Sequence, residues 1–371
     1  MHRRSRATAF TGAALLAALA AVSPAVASSP DHAVTATHHR TDGSRSCGPQ
    51  AYAVGYSDAL DKLQVDGATV GGLSDIAWDA HAHAYASSVD NHGDDVSRIW
   101  FYSSTTHPRI TRPPLVLEHA DGTPYTGVTA DNEGMAVLPN GEFVVSSELE
   151  PSIRIFGRDG VQRASLPVPA RFRVAPSGEA TDNATLEGLT VSRNGRQIVA
   201  SMEGPLSGDT PSDGSPTSYR RFLVYAKHGH GWTLTKQVGY QVDPGNRIAE
   251  VQEYAPGKLL VLEAAWSADV GNTVQLYAVT GLSRATDVSD VADLGNDPHA
   301  VMRKTLIADV TACPSMGATA KETQINPLMG NFEGMTTRRL RGHAYRVALV
   351  SDDNFNQTQT TRFVNLVAFL P

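Results

Sequence analysis

The chain has 371 residues, of which 41% are hydrophobic and 19% are charged, with 32 glycines and 21 prolines. This composition excludes a disordered chain and favours a globular fold with many turns. The 38 acidic and 31 basic residues give a net charge of −7, which argues against a nucleic-acid or anionic-membrane surface and is compatible with cation binding.

The start of the chain has the three parts of a secretory signal peptide. A basic segment is followed by an apolar run over residues 13–22 and by Ala-Val-Ala at 25–27, the small-x-small pattern of a cleavage site. We predict a signal peptide over residues 1–27 and a secreted, extracellular protein without a membrane anchor, because the apolar run is too short to span a bilayer. Both the general and the twin-arginine export routes stay open.

Residues 28–46 and the two cysteines set the expected limits of the folded part. The segment 28–46 is rich in Ser, Thr, His and Asp and is predicted to be a disordered leader, so that one domain occupies residues 47–371. Cys47 and Cys313 are the only cysteines, and in an oxidising compartment they predict one disulfide. Such a bond would join the start of the domain to a point near its end.

A unit of strand, turn, strand, polar loop and strand recurs along the chain. Asn140-Gly141 and Asn194-Gly195 each separate two apolar runs, and both residue types tolerate the positive φ angles of a type I′ hairpin turn. The five visible copies lie at 72–102, 132–156, 186–225, 248–279 and 331–369.

Repetition at this period is typical of a β-propeller, in which each blade is one antiparallel sheet that must stack on its neighbours. We predict an all-β propeller of six blades, five of them visible as repeats, with the ring closed near the N- and C-terminal ends. The sixth blade would combine Ala51–Tyr56 with Val301–Val310. A β-sandwich is the alternative, since it also has strands at regular spacing.

A Glu-Gly pair followed by Met or Leu marks the first strand of three copies. The innermost strand of a blade lines the central channel, so these carboxylates should converge on the axis. Calcium, which binds six to eight oxygens, would neutralise them, but each Glu could instead accept hydrogen bonds from the next blade and act only as a latch. The first-strand series comprises Glu133, Glu187 and Glu333, with Asp75 and Glu250 next to the matching position in the other two copies.

A second acidic series follows the second strand of each copy. An antiparallel second strand returns to the end where the first strand began, so both series should lie on one face. Turn formation or solvation of strand ends is the alternative role for these acids. The second series comprises Asp90, Glu148, Glu203, Glu263, Asp352 and Asp353. The predicted metal ligands from the two series are Glu133, Glu187, Glu250, Glu333, Asp352 and Asp353.

Several of these motifs resemble one known protein family. Residues 331–335 (NFEGM) and 349–355 (LVSDDNF), followed by Thr361-Arg362-Phe363, are similar to the C-terminal signature of the phytase-like, "esterase-like activity of phytase" family. The likeness extends over residues 52–369 and implies a propeller of exported bacterial proteins that hydrolyses a phosphomonoester or a carboxyl ester. Ser74-Asp75 and Ala249-Glu250 depart from the Glu-Gly pattern.

The residue chemistry limits the mechanism. The sequence contains no Gly-x-Ser-x-Gly elbow, no His-Glu-x-x-His helix and no Gly-rich phosphate loop, so serine-hydrolase and zinc-protease mechanisms lack their usual motifs. A calcium-dependent attack of water on a small ester or phosphoester remains, with no catalytic residue assigned. Cations that could receive an anionic substrate are Arg98, Arg154, Arg221, Lys258, Arg346 and Arg362.

Two other functions fit the same sequence. One is a non-catalytic binding or scaffold propeller with structural calcium, since propellers host both kinds of function. The other is a lactonase resembling the gluconolactonase type, for which Asp353 and Asn354 are the only nominated pair to complete the site. In each case we expect a monomer that binds neither nucleic acid nor membrane.

Overall fold

A computed structural model describes residues 45–210, 217–229, 231–297 and 300–371. The predicted signal peptide and nearly all of the predicted leader lie outside these residues. Within the described part, strands dominate and the only helices are short 3-10 turns, so the structure contains no helix long and apolar enough to cross a membrane. The 3-10 turns are η1 (Ala170–Phe172), η2 (Ser207–Asp209), η3 (Leu282–Arg284), η4 (Leu294–Asn296) and η5 (Val310–Ala312).

The strands form five four-stranded antiparallel sheets and one small hairpin, and the predicted β-propeller is confirmed. The chain starts with β1 (Ala51–Ser57) and the hairpin β2 (Gln64–Val65) and β3 (Ala68–Thr69). Blade 1 contains β4 (Ala77–Asp79), β5 (Ala84–Ser88), β6 (Arg98–Tyr102) and β7 (Leu115–Val116). Blade 2 contains β8 (Asn132–Val137), β9 (Phe143–Ser147), β10 (Ser152–Phe156) and β11 (Gln162–Leu166).

The remaining blades follow the same order. Blade 3 contains β12 (Leu186–Val191), β13 (Gln197–Met202), β14 (Tyr219–His228) and β15 (Gly231–Gln241). Blade 4 contains β16 (Arg247–Ala255), β17 (Lys258–Ser267), β18 (Gly271–Thr280) and β19 (Lys304–Asp309). Blade 5 contains β20 (Asn331–Arg339), β21 (Ala344–Asp352) and β22 (Phe363–Phe369), with β1 as its outer strand.

The two segments expected to form a sixth blade lie in different sheets. β1 pairs with β22, so that Ala51 faces Ala368, whereas β19 pairs with β18 at the edge of blade 4. Ala51 and Ala53 are buried at alternate positions of β1 and pack in the core between blades 4 and 5. Each segment therefore completes an existing three-stranded sheet, and the described residues contain five blades.

The first strand of each blade lies innermost. β8, β12, β16 and β20 contact one another in that order, and β4 contacts both β8 and β20. A cavity of about 200 Å³ is lined by all five inner strands, through Ala77, Met135, Leu189, Tyr254 and Thr336 among others. The inner strands thus surround one axis, as the repeat predicts.

The two Asn-Gly hairpins form, but their turns are not of type I′. Gly141 has φ +88° and Gly195 has φ +67°, whereas neither asparagine has a positive φ. The Gly141 N–H donates to the Leu138 carbonyl at 2.8 Å, which closes a turn with glycine in its left-handed position. The loop is longer than the two residues that a type I′ turn requires, so only glycine needs positive φ.

The predicted disulfide between Cys47 and Cys313 is confirmed. Both cysteines are buried in the core shared by blades 4 and 5, with Ile307 and Val310 in the same cluster. The bond spans a sequence separation of 266 residues. It ties the start of the described chain to the segment that follows β19.

Candidate functional site

The Glu-Gly repeats bring three carboxylates together on the propeller axis. The carboxylate oxygens of Glu133, Glu187 and Glu333 lie within 4.8 Å of one another. The pairing of each inner strand with its second strand is irregular at this point, and such a bulge re-aims side chains out of the normal alternation. The Glu of each motif therefore points to the axis because the pairing between the first and second strands of its blade is interrupted at that residue.

The glycine of each motif is needed because neighbouring inner strands approach closely here. A Cβ on Gly134 would lie 2.4 Å from the Glu187 carbonyl oxygen, and one on Gly188 would lie 2.6 Å from the Val251 nitrogen. No side chain fits at these distances. The repeated Glu-Gly thus combines an axial carboxylate with a close backbone contact.

An arginine that the sequence analysis did not single out occupies the centre of the carboxylates. Arg247, the first residue of β16, donates from Nη1 to Glu187 Oε1 and Glu203 Oε1, both at 2.9 Å. Its Nη2 donates to Glu333 Oε1 at 2.8 Å and to Asn331 Oδ1 at 2.9 Å. Burial alone would lower the pKa of Arg247, but the three carboxylates raise it well above its usual value. The guanidinium is therefore a fixed cation that joins blades 3, 4 and 5.

A second group of acids beside Arg247 has no such partner. We call it the acidic cluster, and it contains Asp90, Asp131, Glu133, Glu148 and Asp352. Oxygens of Asp131, Glu133 and Glu148 lie within 4.8 Å of one another, and Asp90 and Asp131 form a similar group with His92. Across the described part of the chain, none of the five cluster acids forms an ion pair with Lys or Arg.

Three oxygens of the acidic cluster lack a donor. Asp90 Oδ1, Asp131 Oδ1 and Asp352 Oδ2 are buried and accept no hydrogen bond from another described group with a fixed proton. Asp90 lies within hydrogen-bonding reach of both other carboxyls. Facing carboxylates repel unless a proton or a cation lies between them.

Burial and mutual repulsion hold protons on this cluster. Burial first, and then the charges of Glu133 and Asp352, raise the pKa of Asp90 to about 12. Burial and the Glu203 charge raise the pKa of Glu148 to about 8, against a hydrogen bond from the Thr185 N–H. The pKa values of Glu133 and Asp352 are also raised, chiefly by burial. A cation would replace these protons.

The two departures from the Glu-Gly pattern meet each other deeper in the channel. Asp75 and Glu250 are hydrogen-bonded, and burial raises the pKa of Asp75 to about 7 and that of Glu250 further. Asp75 Oδ2 accepts from the Met135 N–H at 2.5 Å, and Glu250 Oε1 accepts from the Leu189 N–H at 3.0 Å. One proton shared between the two carboxyls relieves their repulsion, and the pair links blades 1 to 4.

We expect stability to fall as the pH rises through the titration of this pair. Because the pKa of Asp75 rises from 3.8 to about 7 on folding, the native state binds more protons over that interval. Ionisation then costs the fold on the order of a few kcal/mol. Glu250→Gln keeps a donor to Asp75 and an acceptor for Leu189, so urea unfolding in EDTA should show a shallower decline between pH 4.5 and 7.5.

Glu250→Ala, which removes donor and acceptor, should be destabilised at every pH of this series. Glu142→Gln, at a half-buried acid in the β8–β9 turn, serves as the control and should follow the wild-type pH profile. An unchanged slope for Glu250→Gln would show that the pair does not share a proton.

Asp353 and Glu263 have partners of their own. Asp353 accepts from Lys62, from Thr361 Oγ1 at 2.8 Å and from the Gly72 N–H at 2.9 Å, so it fastens its loop to the segment that precedes blade 1. Glu263 accepts from Tyr240 at 2.6 Å and from Lys304. Neither belongs to a group of acids close enough to share an ion within the described residues. Of the six predicted ligands, Glu133, Glu187 and Glu333 lie together at the axis and Asp352 lies in the acidic cluster, whereas Glu250 pairs with Asp75 and Asp353 has partners of its own.

Two residues of the site carry little signal in the sequence. Asp131 belongs to neither acidic series. It is the residue just before β8, and its side chain lies in the acidic cluster with that of Glu133. Arg247 lies two residues before Ala249, which takes the place of the repeated Glu. A cation two residues before one of the two positions that lack the repeated Glu was the available hint.

A family model describes this chain over most of its length. The model "Phytase-like: Esterase-like activity of phytase" matches residues 68–355, a range that contains the Glu-Gly motifs, Arg247 and all five acids of the acidic cluster. The chain belongs to this phytase-like family. The resemblance seen in the motifs is thereby confirmed.

The phytase-like chain also resembles an "Uncharacterized secreted protein" of Arthroderma benhamiae, with 23% identity over 248 residues. The match covers 53% of this chain, and the chain spans about half of that relative, 48%.

Solved structures share the fold only distantly. A Dyadobacter fermentans protein of unknown function is 9% identical, with a TM-score of 0.45 and coverage of 86% of this chain and 100% of that chain. The PQQ-bound aldose sugar dehydrogenase of Streptomyces coelicolor is 13% identical, with a TM-score of 0.36 and coverage of 80% of each. TM-scores below 0.5 carry no information about activity.

Proposed function

We propose that this phytase-like protein is a secreted hydrolase of a small phosphoester or carboxyl ester, and that its acidic cluster binds a divalent cation, calcium. The observation that carries the proposal is the set of buried carboxylate oxygens of Asp90, Asp131 and Asp352, which face one another and receive no hydrogen bond from a group with a fixed proton. Buried polar atoms in native proteins nearly always have a partner, and a bound cation would supply one here.

The residues present fit a calcium ion. The donors are carboxylate oxygens, which calcium prefers, and Ca–O distances of about 2.3–2.6 Å allow two ligands up to roughly 5 Å apart. The oxygens of Asp131, Glu133 and Glu148 satisfy this limit at 4.8 Å. Arg247 already neutralises Glu187 and Glu333, which supports a site displaced from the axis toward blades 1 and 2.

The chain's own residues orient the carboxylates of the site. Ser74 Oγ donates to Glu133 Oε2 at 2.5 Å and so fixes that carboxylate. The Thr185 N–H donates to Glu148 Oε1 and fixes a second one. A bound calcium ion would supply charge for a phosphoryl or acyl oxygen.

A non-catalytic scaffold is the second candidate, and Arg247 favours it. Three of the axial acids are engaged by one guanidinium, which is what a latch between blades requires. In that case calcium would raise the melting temperature without enabling turnover. The lactonase alternative draws no support from the nominated pair, because Asp353 is bound by Lys62 and Thr361, and Asn354 donates to Gln359 at 3.0 Å.

Turnover decides between the two candidates. We expect hydrolysis of p-nitrophenyl phosphate, phytate or p-nitrophenyl acetate in calcium, and its loss in EDTA with recovery on adding calcium back. Absence of calcium-dependent turnover on all three esters would leave the scaffold as the better account.

Asp90→Asn isolates the cation site from the fold. Asp90 Oδ1 receives no protein donor, so the apo variant should be at least as stable as the wild type because repulsion is relieved. Calcium at 100 times Kd stabilises the wild type by about 2.7 kcal/mol, and the variant should lose most of this gain in thermal unfolding. Asp121→Asn, at an exposed loop acid, should keep the whole gain. Equal calcium responses in Asp90→Asn and the wild type would place the ion elsewhere.

A further inference from the structure

An open cleft of about 700 Å³ lies on blade 2 and the segment that follows it. Leu149 and Glu150, the two residues after the cluster member Glu148, form part of its wall. The chain therefore passes directly from the acidic cluster into the wall of the cleft. Its other lining residues include Arg154 on β10 and Arg173 in the segment after η1.

Arg154 differs from every other strongly buried arginine of the described chain. It is 7% exposed, yet its guanidinium donates no hydrogen bond and forms no ion pair with a described residue, and it only lies over the Tyr125 ring at 4.9 Å. The other arginines that are buried to the same degree all donate to carboxylates or carbonyls. They are Arg98, Arg220, Arg221 and Arg362.

A guanidinium that is 7% exposed and has no hydrogen-bond acceptor in the protein depends on solvent or a ligand for its acceptors. Burial accordingly lowers the pKa of Arg154. An acceptor that enters from solvent through the cleft would satisfy the donors. The cleft offers that route, since Arg154 lines it.

The rest of the lining indicates the chemistry of the acceptor. Arg173 is exposed and unpaired among the described residues, and Ser165 and Ser177 add hydroxyls. One acid, Glu150, also lines the cleft, against the two arginines. Two guanidinium groups and two hydroxyls are suited to bind an oxyanion such as phosphate or carboxylate. The apolar lining residues Leu166 and Val168 could contact an organic substituent of the same molecule.

We propose that this cleft binds the anionic group of the substrate, with Arg154 as the principal contact and Arg173 as the second. The anion is a phosphate or a carboxylate carried by the molecule whose ester lies at the acidic cluster. The assignment as a substrate subsite rests on the proposed hydrolase function, whereas anion binding itself does not.

Calorimetry with simple anions tests the site without turnover. Inorganic phosphate and acetate are titrated separately into the purified protein in EDTA, at an ionic strength held constant with chloride. We expect phosphate to bind, and Arg154→Gln to weaken it by about 10- to 100-fold, the range for charged hydrogen bonds. Arg154→Lys should have an affinity for phosphate between those of the wild type and Arg154→Gln, because lysine keeps the charge but lacks the paired N–H donors of the guanidinium. The tighter of the two anions identifies the charged group of the substrate.

Arg163→Gln is the matched control, because it makes the same charge change on β11, where Arg163 is exposed and pairs with Asp159. It should bind phosphate as the wild type does. Arg173→Gln, at an exposed position, gives a second variant in case Arg154→Gln fails to fold, and it should also weaken binding. The proposal is overturned if the wild type binds neither anion, or if the Arg173 variant and a folded Arg154 variant match the wild type.

Kinetics then separates this inference from the proposed function. With calcium present, Arg154→Gln should raise KM for an ester that carries the anion and leave KM for neutral p-nitrophenyl acetate unchanged. If no ester is hydrolysed while phosphate still binds through Arg154, the hydrolase proposal fails and the anion site stands.

Discussion

Arg247→Gln should destabilise the protein by about 3–5 kcal/mol, the cost of removing one partner from a buried ion pair. The variant leaves the carboxylates of Glu187, Glu203 and Glu333 together with no guanidinium between them. The loss should grow from acid to neutral pH. Without the guanidinium the buried carboxylates either repel one another as anions or keep protons that the unfolded chain has released, and both cost more stability as the pH rises. Urea unfolding at pH 5 and pH 7.5 measures both effects.

Arg247→Lys separates charge from geometry. Lysine keeps the cation but cannot donate to four oxygens in the planar arrangement of the guanidinium, so an intermediate loss is expected. Arg163→Gln, at an exposed ion pair, should unfold at the wild-type urea concentration and controls for net charge. If Arg247→Gln were as stable as the wild type at both pH values, the three carboxylates would not need the guanidinium, and the latch role of Arg247 would be wrong.

Replacing the disulfide should have an effect of similar size. The chain-entropy model assigns on the order of 5 kcal/mol to a cross-link that closes a loop this long. Cys47 and Cys313 are 266 residues apart and both are buried, so Cys47→Ala/Cys313→Ala avoids placing a hydroxyl in the core. The double variant should unfold at a clearly lower urea concentration than the oxidised wild type.

The single variant Cys47→Ala provides the control for this experiment. If the covalent link is responsible, the single and double variants lose nearly the same stability, and a reducing agent lowers the wild type to that level while leaving the variants unchanged. A double variant that unfolds with the oxidised wild type would show that the core between blades 4 and 5 holds the chain ends without the bond.

Local patterns were sufficient to predict the blades but not their number. Each blade has its own strands and turns within one stretch of sequence, so the five repeats are visible one by one. The outer strands β1 and β19 lack a repeat motif, and the prediction that they share a sixth blade was wrong. Each pairs instead with the edge of a sheet that has only three other strands, which the local sequence does not reveal. The predicted type of hairpin turn was also wrong, since loop length is set by the register of the flanking strands.

The sequence by itself determined the propeller, the disulfide partners and the convergence of Glu133, Glu187 and Glu333, because each follows from a repeated motif or from there being only two cysteines. Only the tertiary structure decided what those acids face. Arg247 pairs with Glu187 and Glu333. The neighbouring acids Asp90, Asp131 and Asp352 have no such partner and keep buried oxygens without a fixed donor. The physical reason is that charge compensation occurs between side chains of different blades, at distances and orientations that no spacing along one strand encodes.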